Sequence, residues 1–514
     1  RPRSIALPSG GDAAGTTFSL RILCRPWINN PLVEKQVAEA VDKTRGGGLW
    51  HGGPSAGRRG TAGGIIASPP PSPGDLHADA SGSESRLGWA LYDWANSAFA
   101  TTVMAGFFPI FFKQFWSIGV DPNLSTARLG FGNAAAGLLV AACAPVLGAI
   151  ADRGGLRKRF LAGFTALGVV ATAAFFLLPR GQWVGAILCY AMGVIGFSGA
   201  IIFYDALLPL VARRHDLDRV SAIGYAAGYL GGGILFLCNV VMTLRPHWFG
   251  LVDSTAAVRW SFLSVALWWG AFSLALFRWV PEPPVAFLPA VARGTRHPWR
   301  RFLSTLRHAR EHKPILLFLI AYWFYIDGVD TIIRMAVDYG LSLGFAAADL
   351  ITALLLVQFV GFPAALLFGR LGQRWGVKRS LFLALGIYML ITLWATFMQH
   401  RWEFFGLALA VALVQGGVQA LSRSYFARLI PDGRSAEFFG LYNMLGKFAA
   451  IIGPALMGAV GLAARHVLLQ RYPSAPSAPW VSDLASRISI ASVLLLFVVG
   501  AILLCRVETP SGSD

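Results

Sequence analysis

Gly148-Ala149-Ile150-Ala151-Asp152-Arg153-Gly154-Gly155-Leu156-Arg157-Lys158 returns in the second half of the chain as Gly369-Arg370-Leu371-Gly372-Gln373-Arg374-Trp375-Gly376-Val377-Lys378-Arg379. Each copy closes one long apolar segment and opens another. A basic glycine turn repeated between hydrophobic spans marks a duplicated helical membrane protein, and paired bundles of that kind build transporters. Glycine at 155 and 376 permits the tight reversal. Asp152 and Arg153 follow a helix end, where the carboxylate can accept N–H groups from a neighbouring helix and latch one conformation. The second copy has Gln373 in place of the aspartate, so the charged latch is expected in the first half alone. The alternative is an ordinary positive loop with no latching role.

Outward from the turns, the composition agrees. Of 514 residues, 55% are hydrophobic and only 14% charged, against about 25% charge in a soluble protein. A helix needs about 20 apolar residues to cross the hydrocarbon core. Runs of that kind begin near Ala90, Gly130, Phe160, Trp183, Val220, Trp260, Ile315, Leu350, Leu381, Phe404, Phe438 and Ile488, giving twelve spans, six on each side of a polar segment at Pro281–Lys313. They are too long, and alternate too little, for spanning strands. The expected fold is an all-α integral membrane protein with twelve transmembrane helices in two pseudo-symmetric six-helix bundles. The bundles are assigned to residues 86–280 and 314–508, with a linker at 281–313 and a tail at 509–514. Residues 1–85, rich in Gly, Ser, Pro and Arg, read as a disordered extension or a mispredicted start.

The net charge of +18 suggests nucleic acid until its placement is read. The cations gather in alternate loops: Arg153 to Arg159, Arg213 to Arg219, Arg293 to Lys313, Arg370 to Arg379, and Arg428 to Arg434. Loops of that kind stay in the cytoplasm, which puts both termini there. Within the linker, Trp299, Phe302, Leu303, Leu306 and Arg310 share helical spacing. Residues 299–310 read as a basic amphipathic helix on an anionic inner leaflet, not as a nucleic-acid site.

Ionisable groups inside a span are costly and face protein or water. Here they are selective. The first span carries Tyr92, Asp93 and Asn96, and the fourth carries Tyr204 and Asp205. The seventh carries Asp327, Asp330, Arg334 and Asp338, the tenth Gln415, Gln419 and Arg423, and the eleventh Asn443 and Lys447. The third, sixth, ninth and twelfth are uncharged inside. Helices 1, 4, 7 and 10 are therefore expected to line an aqueous path, with 3, 6, 9 and 12 towards lipid. At about 100° per residue, Asp330, Arg334 and Asp338 fall within about 60° of Asp327 on one face. Asp327, Asp330, Arg334, Gln415, Gln419, Arg423 and Lys447 are the candidates for solute or proton binding, with Arg423 and Lys447 suited to a carboxylate. Tyr92, Asp93, Asn96, Tyr204, Asp205, Asp152 and Arg153 are the candidates for an inner gate. The alternative for each is a structural ion pair or an anchor at a helix end. Gly224, Gly228 and Gly232 form a small-residue stripe suited to close helix packing, and Gly453-Pro454 predicts a weakened eleventh helix.

The five cysteines (Cys24, Cys143, Cys189, Cys238, Cys505) have no metal or redox spacing. No phosphate-binding Gly-x-x-x-x-Gly-Lys-Ser loop, zinc His-Glu-x-x-His motif or nucleophile elbow with a partner is present. Neither a cofactor nor a metal is expected, nor is an enzyme.

The twelve spans, central loop and repeated turn resemble the major facilitator superfamily over roughly Leu87 to Val507. Leu91-Tyr92-Asp93-Trp94-Ala95-Asn96-Ser97-Ala98-Phe99, followed by Phe107-Phe108-Pro109-Ile110-Phe111-Phe112, is similar to the first span of its UMF1 family, which includes Atg22-type fungal vacuole effluxers. Tyr204-Asp205-Ala206-Leu207-Leu208-Pro209 fits the same family. The resemblance implies a monomeric secondary transporter that exports small organic solutes such as amino acids by alternating access, with proton coupling open. The alternative is a non-transport sensor or partner protein on the same fold.

Overall fold

The computed structural model describes residues 82–120, 122–282, 313–342, 347–398, 400–431, 433–472 and 479–508. The 299–310 stretch and almost all of the N-terminal extension lie outside them. The described chain is helical throughout. The first half contains α1 (Ser83–Trp116), α2 (Pro122–Gly154), α3 (Arg157–Ala174), α4 (Trp183–Ala206), α5 (Leu217–Leu244) and α6 (Ser254–Trp279). The second contains α7 (Lys313–Ser342), α8 (Ala347–Trp375), α9 (Val377–Phe397), α10 (Arg401–Leu429), α11 (Ser435–Arg471) and α12 (Asp483–Cys505). Eleven of the described helices are long and apolar enough to cross a membrane. The exception is α3, whose 18 residues open on Arg157-Lys158-Arg159 and so leave a shorter apolar stretch. The expectation that the chain is irregular through residue 85 is corrected here: α1 begins at Ser83, and the Ser85 hydroxyl donates to the Trp279 carbonyl at the end of α6 (2.9 Å).

The duplication is visible in the helix starts. The interval from Trp183, which opens α4, to Arg401, which opens α10, equals that from Leu217 of α5 to Ser435 of α11. In the first half α3 packs on α4 and α1 on α5 and α6; in the second α7 packs on α11 and α12, and α8 and α9 on α10. The halves meet where α2 crosses α11 and α5 crosses α8. Small residues make both crossings close. A Cβ on Gly148 would strike the Ala436 carbonyl, and one on Gly440 would stand 2.7 Å from the Ala144 carbonyl oxygen. On the other crossing, a Cβ on Gly369 would lie 2.5 Å from that of Ala222. Gly224, Gly228 and Gly232 receive Trp89, Ser97 and Thr101 of α1, so the stripe on α5 is a packing surface.

The repeated turn does one job in both halves. Lys158 Nζ donates to the Phe277 and Val280 carbonyls at the end of α6 (2.9 and 2.6 Å). Lys378 Nζ donates to the Cys505 and Val507 carbonyls at the end of α12 (2.8 Å each). Each lysine satisfies orphan carbonyls at the negative end of a helix dipole. Leu156 adds one residue to the first turn, so Lys158 corresponds in space to Lys378, not to Arg379. Leu267 and Leu274 on α6, Leu390 and Phe397 on α9, and Leu495 and Ile502 on α12 are exposed apolar side chains, as lipid-facing helices require.

The halves differ at the end away from the turns. In the first, Phe108 stacks on Tyr190 (4.3 Å between centroids) and meets Phe175 (5.1 Å), and Trp116 stacks on Phe262. That aromatic plug follows the π-helical turns of α1 at Phe99–Phe107 and fills its bundle. The second half holds a cavity at that end instead.

Candidate functional site

Arg423 organises the end of the molecule that carries the turns. It projects from α10 of the second half, with its side chain 2% exposed, and is enclosed by the first. Its Nη1 stands 3.1 Å from Asp205 Oδ1 on α4 and 3.6 Å from Asp93 Oδ2 on α1. Its Nε donates to the Ser221 hydroxyl (3.0 Å) and its Nη2 to the Ser221 carbonyl (2.9 Å) on α5. The guanidinium lies over the rings of Trp89 (4.7 Å) and Tyr225 (4.3 Å), favourable for a desolvated cation. The carboxylates are held in turn: Tyr204 Oη donates to Asp93 (3.1 Å) and Asn443 Nδ2 of α11 to Asp205 (3.2 Å). Trp89 stacks on Tyr204 at 4.4 Å and donates to its carbonyl. Tyr92 stacks on Tyr204 and shares a 2.7 Å hydrogen bond with Thr165 of α3. The spacing of Asp205 and Arg423 along the chain equals the interval between the helix starts of the two halves. The ion pair therefore joins equivalent positions of the two halves.

Further inter-half contacts surround it. Arg428 of α10 grips Asp218 of α5 with two 2.6 Å bonds, and the Ser424 hydroxyl also donates to Asp218. Ser221 Oγ donates to the Ala420 carbonyl (2.7 Å) and Ser435 Oγ to the Ala206 carbonyl (2.9 Å). Asp152, fully buried, accepts the N–H groups of Ala436 (3.1 Å) and Glu437 (2.9 Å) in the first turn of α11, and Arg157 pairs with it at 2.7 Å. A carboxylate at a helix N-terminus meets both the orphan donors and the dipole. Arg434 engages Glu437 beside it (3.1 Å). Breaking a buried pair of this kind by removing one partner costs about 3–5 kcal/mol, so the set ties the two halves together at this end.

The other half of the molecule is open inside. A cavity of about 880 Å³ is lined by Thr101 of α1, Thr331 of α7, Gln358 of α8, Gln415 of α10, Pro454 and Met457 of α11 and apolar residues of α9 and α12. The lining residues of α8, α10 and α12 run from their first turns to about the middle of each helix, and those of α9 lie in its last turns, so the cavity extends from the end opposite Arg423 towards the midpoint. Of the helices expected to line a path, α1, α7 and α10 do so and α4 does not. α9 and α12, expected only at the lipid face, also contribute lining residues, and α11 runs as one continuous helix through Gly453-Pro454, where the sequence predicted a weakened one.

The structure separates the candidate residues. Tyr92, Asp93, Tyr204 and Asp205 gather around Arg423, with Asp152 at the adjoining crossing. Asn96 is buried one turn beyond Asp93. Arg423, a candidate for holding a solute carboxylate, stands among these residues, its guanidinium facing the Asp205 and Asp93 carboxylates. Asp327 is buried on α7 and its Oδ1 accepts the Gly453 N–H of α11 (3.0 Å), one turn before the lining residue Thr331. Gln415 lines the cavity. Gln419 lies one turn nearer Arg423, and Lys447 one turn beyond Asn443, both half-buried. Asp330 is half-buried on α7, while the side chains of Arg334 and Arg153 lie outside the described residues. Trp89, Ser221, Tyr225, Asp218, Arg428 and Gln358 were missed. The constant spacing between equivalent positions of the halves pairs Asp205 with Arg423 and was the signal that could have found their cluster.

Comparison with known proteins places this geometry. Residues 125–463 match the family model described as "Vacuole effluxer Atg22 like". The chain is 36% identical over 430 residues to an uncharacterized MFS-type transporter, YxiO, of Bacillus subtilis, covering 83% of this chain and 95% of that one. It is 22% identical to autophagy-related protein 22-2 of Aspergillus clavatus, covering 76% and 88%. Among solved structures, the human organic anion transporter MFSD10 superposes with a TM-score of 0.61 at 16% identity, over 83% of this chain and 99% of that one. The proton:xylose symporter XylE gives 0.59 at 13% identity, over 85% and 96%; these two likenesses carry the fold alone. The chain belongs to the Atg22-like vacuole effluxer family of the major facilitator superfamily, and it is a membrane transporter, not an enzyme.

Proposed function

We propose that this protein exports small organic solutes, amino acids foremost, by alternating access across a bacterial plasma membrane. The observation that carries the reading is the opposition of the two ends. Arg423, Asp205, Asp93 and Asp218 lock the halves together at the basic end, while a cavity of about 880 Å³ occupies the other. With the basic loops in the cytoplasm, this is a state closed inwards. Rocking of the halves about α2–α11 and α5–α8 would break the lock and expose the site to the cytoplasm. Asp327 and Asp330 then serve as the acids that meet a proton or a solute amine, and Gln415 as a contact to the solute. Asp152, Asp93 and Asp205 serve the inner gate.

The test is flux from proteoliposomes containing the full chain, loaded with a panel of labelled amino acids, with and without a pH gradient. Gradient-sensitive efflux that disappears in Asp327→Asn, while the variant purifies with an unchanged melting temperature, supports the reading. Wild-type flux in that variant removes Asp327 from the mechanism. Absence of flux for the whole panel removes amino acids as the solute class.

A further inference from the structure

Arg423 carries one positive charge, and two carboxylates face it. Asp93 is 9% exposed, Asp205 4% and Arg423 2%, so little water reaches any of the three. The titratable and charged groups around Asp93 are Tyr92 on its own helix, Tyr204 and Asp205 of α4, Tyr225 and Tyr229 of α5 and Arg423 of α10. α6 also packs on α1, but its Arg259 donates to the Phe176 carbonyl and its Arg278 is exposed. Neighbouring charges are taken up in pairs, Arg428 with Asp218 and Arg157 with Asp152. Asp330 of α7, which acts electrostatically on Tyr225, and Lys447 of α11, one turn beyond Asn443, are of opposite sign and leave the sum unchanged. The cluster therefore holds one acid more than its cation can balance. Two carboxylates sharing a buried site do not both stay ionised, and an uncompensated charge there is costly.

The contacts distinguish the two acids. Asp205 has the shorter approach to the guanidinium, 3.1 Å against 3.6 Å, and a second donor in Asn443 (3.2 Å). Asp93 receives both of its contacts, from Tyr204 (3.1 Å) and from Arg423, on Oδ2. Its Oδ1 accepts no hydrogen bond from the described residues and lies against α5, where a Cβ on Gly228 would stand 3.4 Å from it. A proton on Oδ1 fits there and makes the surplus carboxylate a neutral acid. A metal cation needs several oxygen ligands, and no group of three acidic, histidine or cysteine side chains that could hold one occurs among the described residues.

We propose that Asp93 is a proton-binding site of the inter-half lock, taking one proton from the cytoplasmic side as the halves close on Arg423 and returning it when they part. On parting, Arg423 leaves with α10, water reaches both carboxylates, and the Asp93 O–H bond gives its proton to that water. Closing reverses the step, so the closed form holds one proton more than the open form. Acidity on the cytoplasmic side thus favours the closed lock, by about tenfold in the closed-to-open ratio for each pH unit while Asp93 titrates. This inference rests on the transport reading, in which the lock opens and closes, and adds the ion that governs it.

The experiment measures distances by pulsed electron paramagnetic resonance on the full chain in nanodiscs, in a background without the native cysteines. Spin labels are placed at Arg214→Cys and Arg370→Cys, exposed positions of the two halves at the basic end. The pH runs from about 5 to about 9 at fixed sodium. The parent is expected to shift towards the short distance as pH falls, with the steepness of a single proton. Asp93→Asn, a neutral side chain of the same shape, is expected to hold the short distance across the range. Asp205→Asn, which removes the closer partner of Arg423, is expected to favour the long one. A cooperative thermal transition shows that each variant is folded. A parent distance indifferent to pH, a pH dependence that survives in Asp93→Asn, or a shift produced by sodium at fixed pH overturns the proposal. The opposite order of the two variants assigns the proton to Asp205 and overturns it as well. Solute efflux in the parent alongside pH-independent distances leaves the transport reading standing and refutes this site. The expected distances without efflux of any solute tested leave the site standing and refute the export reading.

Discussion

At the scale of single residues, one guanidinium joins the two halves at the basic end. Arg423 is desolvated, and its charge is balanced by Asp205 and Asp93 from the other half. Arg423→Leu leaves two carboxylates buried without their cation, at a cost of about 3–5 kcal/mol to this closed state. The expected outcome is loss of transport and a lower melting temperature. Because Asp205 and Arg423 occupy equivalent positions, the exchange Asp205→Arg with Arg423→Asp keeps one pair across the seam. The double variant is expected to melt higher than either single one, and a strictly additive loss would disprove the pairing as the stabilising element. Glu282 gives a second test. It accepts the N–H groups of Arg157 and Lys158 at the start of α3 (2.7 and 3.1 Å). Burial nevertheless pushes its carboxyl above the usual carboxylate range, against the pull of those donors. The fold therefore releases this proton at a higher pH than the unfolded chain does. Its stabilising contribution is thus full below the ordinary glutamate pKa and lost as pH rises through the raised value. Melting temperatures of Glu282→Gln between about pH 4 and pH 7 are expected to fall less with pH than those of the parent; parallel curves would contradict this.

At the scale of elements, the repeated turn combines two devices that its sequence shows as one. The lysine seals the last helix of its own half in both copies. The aspartate reaches the first turn of α11 in the other half, in the first copy only. Asp152→Ala removes the acceptor for two backbone donors at a helix N-terminus, worth about 1–2 kcal/mol. That loss favours opening by roughly 5- to 30-fold. Ser435→Cys, buried behind this crossing, is expected to alkylate faster by a factor of that order when Asp152→Ala is added, in a background without the native cysteines. An unchanged rate would show that the cap does not hold the closed end. The α2–α11 crossing itself was legible only in part. The turn that precedes it was read, but Gly148 and Gly440 are ordinary small residues until α11 is laid against α2.

At the scale of the whole molecule, the two halves share a plan and diverge in filling. Aromatic side chains from Phe107 to Trp116 fill the first bundle at the end where the second contributes most of the cavity wall. An orientation follows from the cation-rich loops. In intact cells, a cysteine replacing exposed Trp248, in the α5–α6 connection at the cavity end, is expected to react with a membrane-impermeant maleimide. One replacing exposed Arg214, at the basic end, is expected to react only after permeabilisation. The reverse pattern would invert the proposed orientation and turn export into import.

Sequence alone determined the class, the helix count and the duplication, because these follow from local quantities: run length, hydropathy, charge between runs and a repeated turn. It also marked Asp93, Tyr204, Asp205 and Arg423 as costly residues that need partners. Only the tertiary structure decided which partners. Asp205 of one half meets Arg423 of the other, Asp327 turns to the Gly453 N–H, and the stem of Gln358 packs against Gly233 of the opposite half. An ionisable group in a membrane must be neutralised or solvated, a demand written in its own chemistry. The helix that meets it is set by the crossing of bundles far apart in sequence, and no local pattern encodes that crossing.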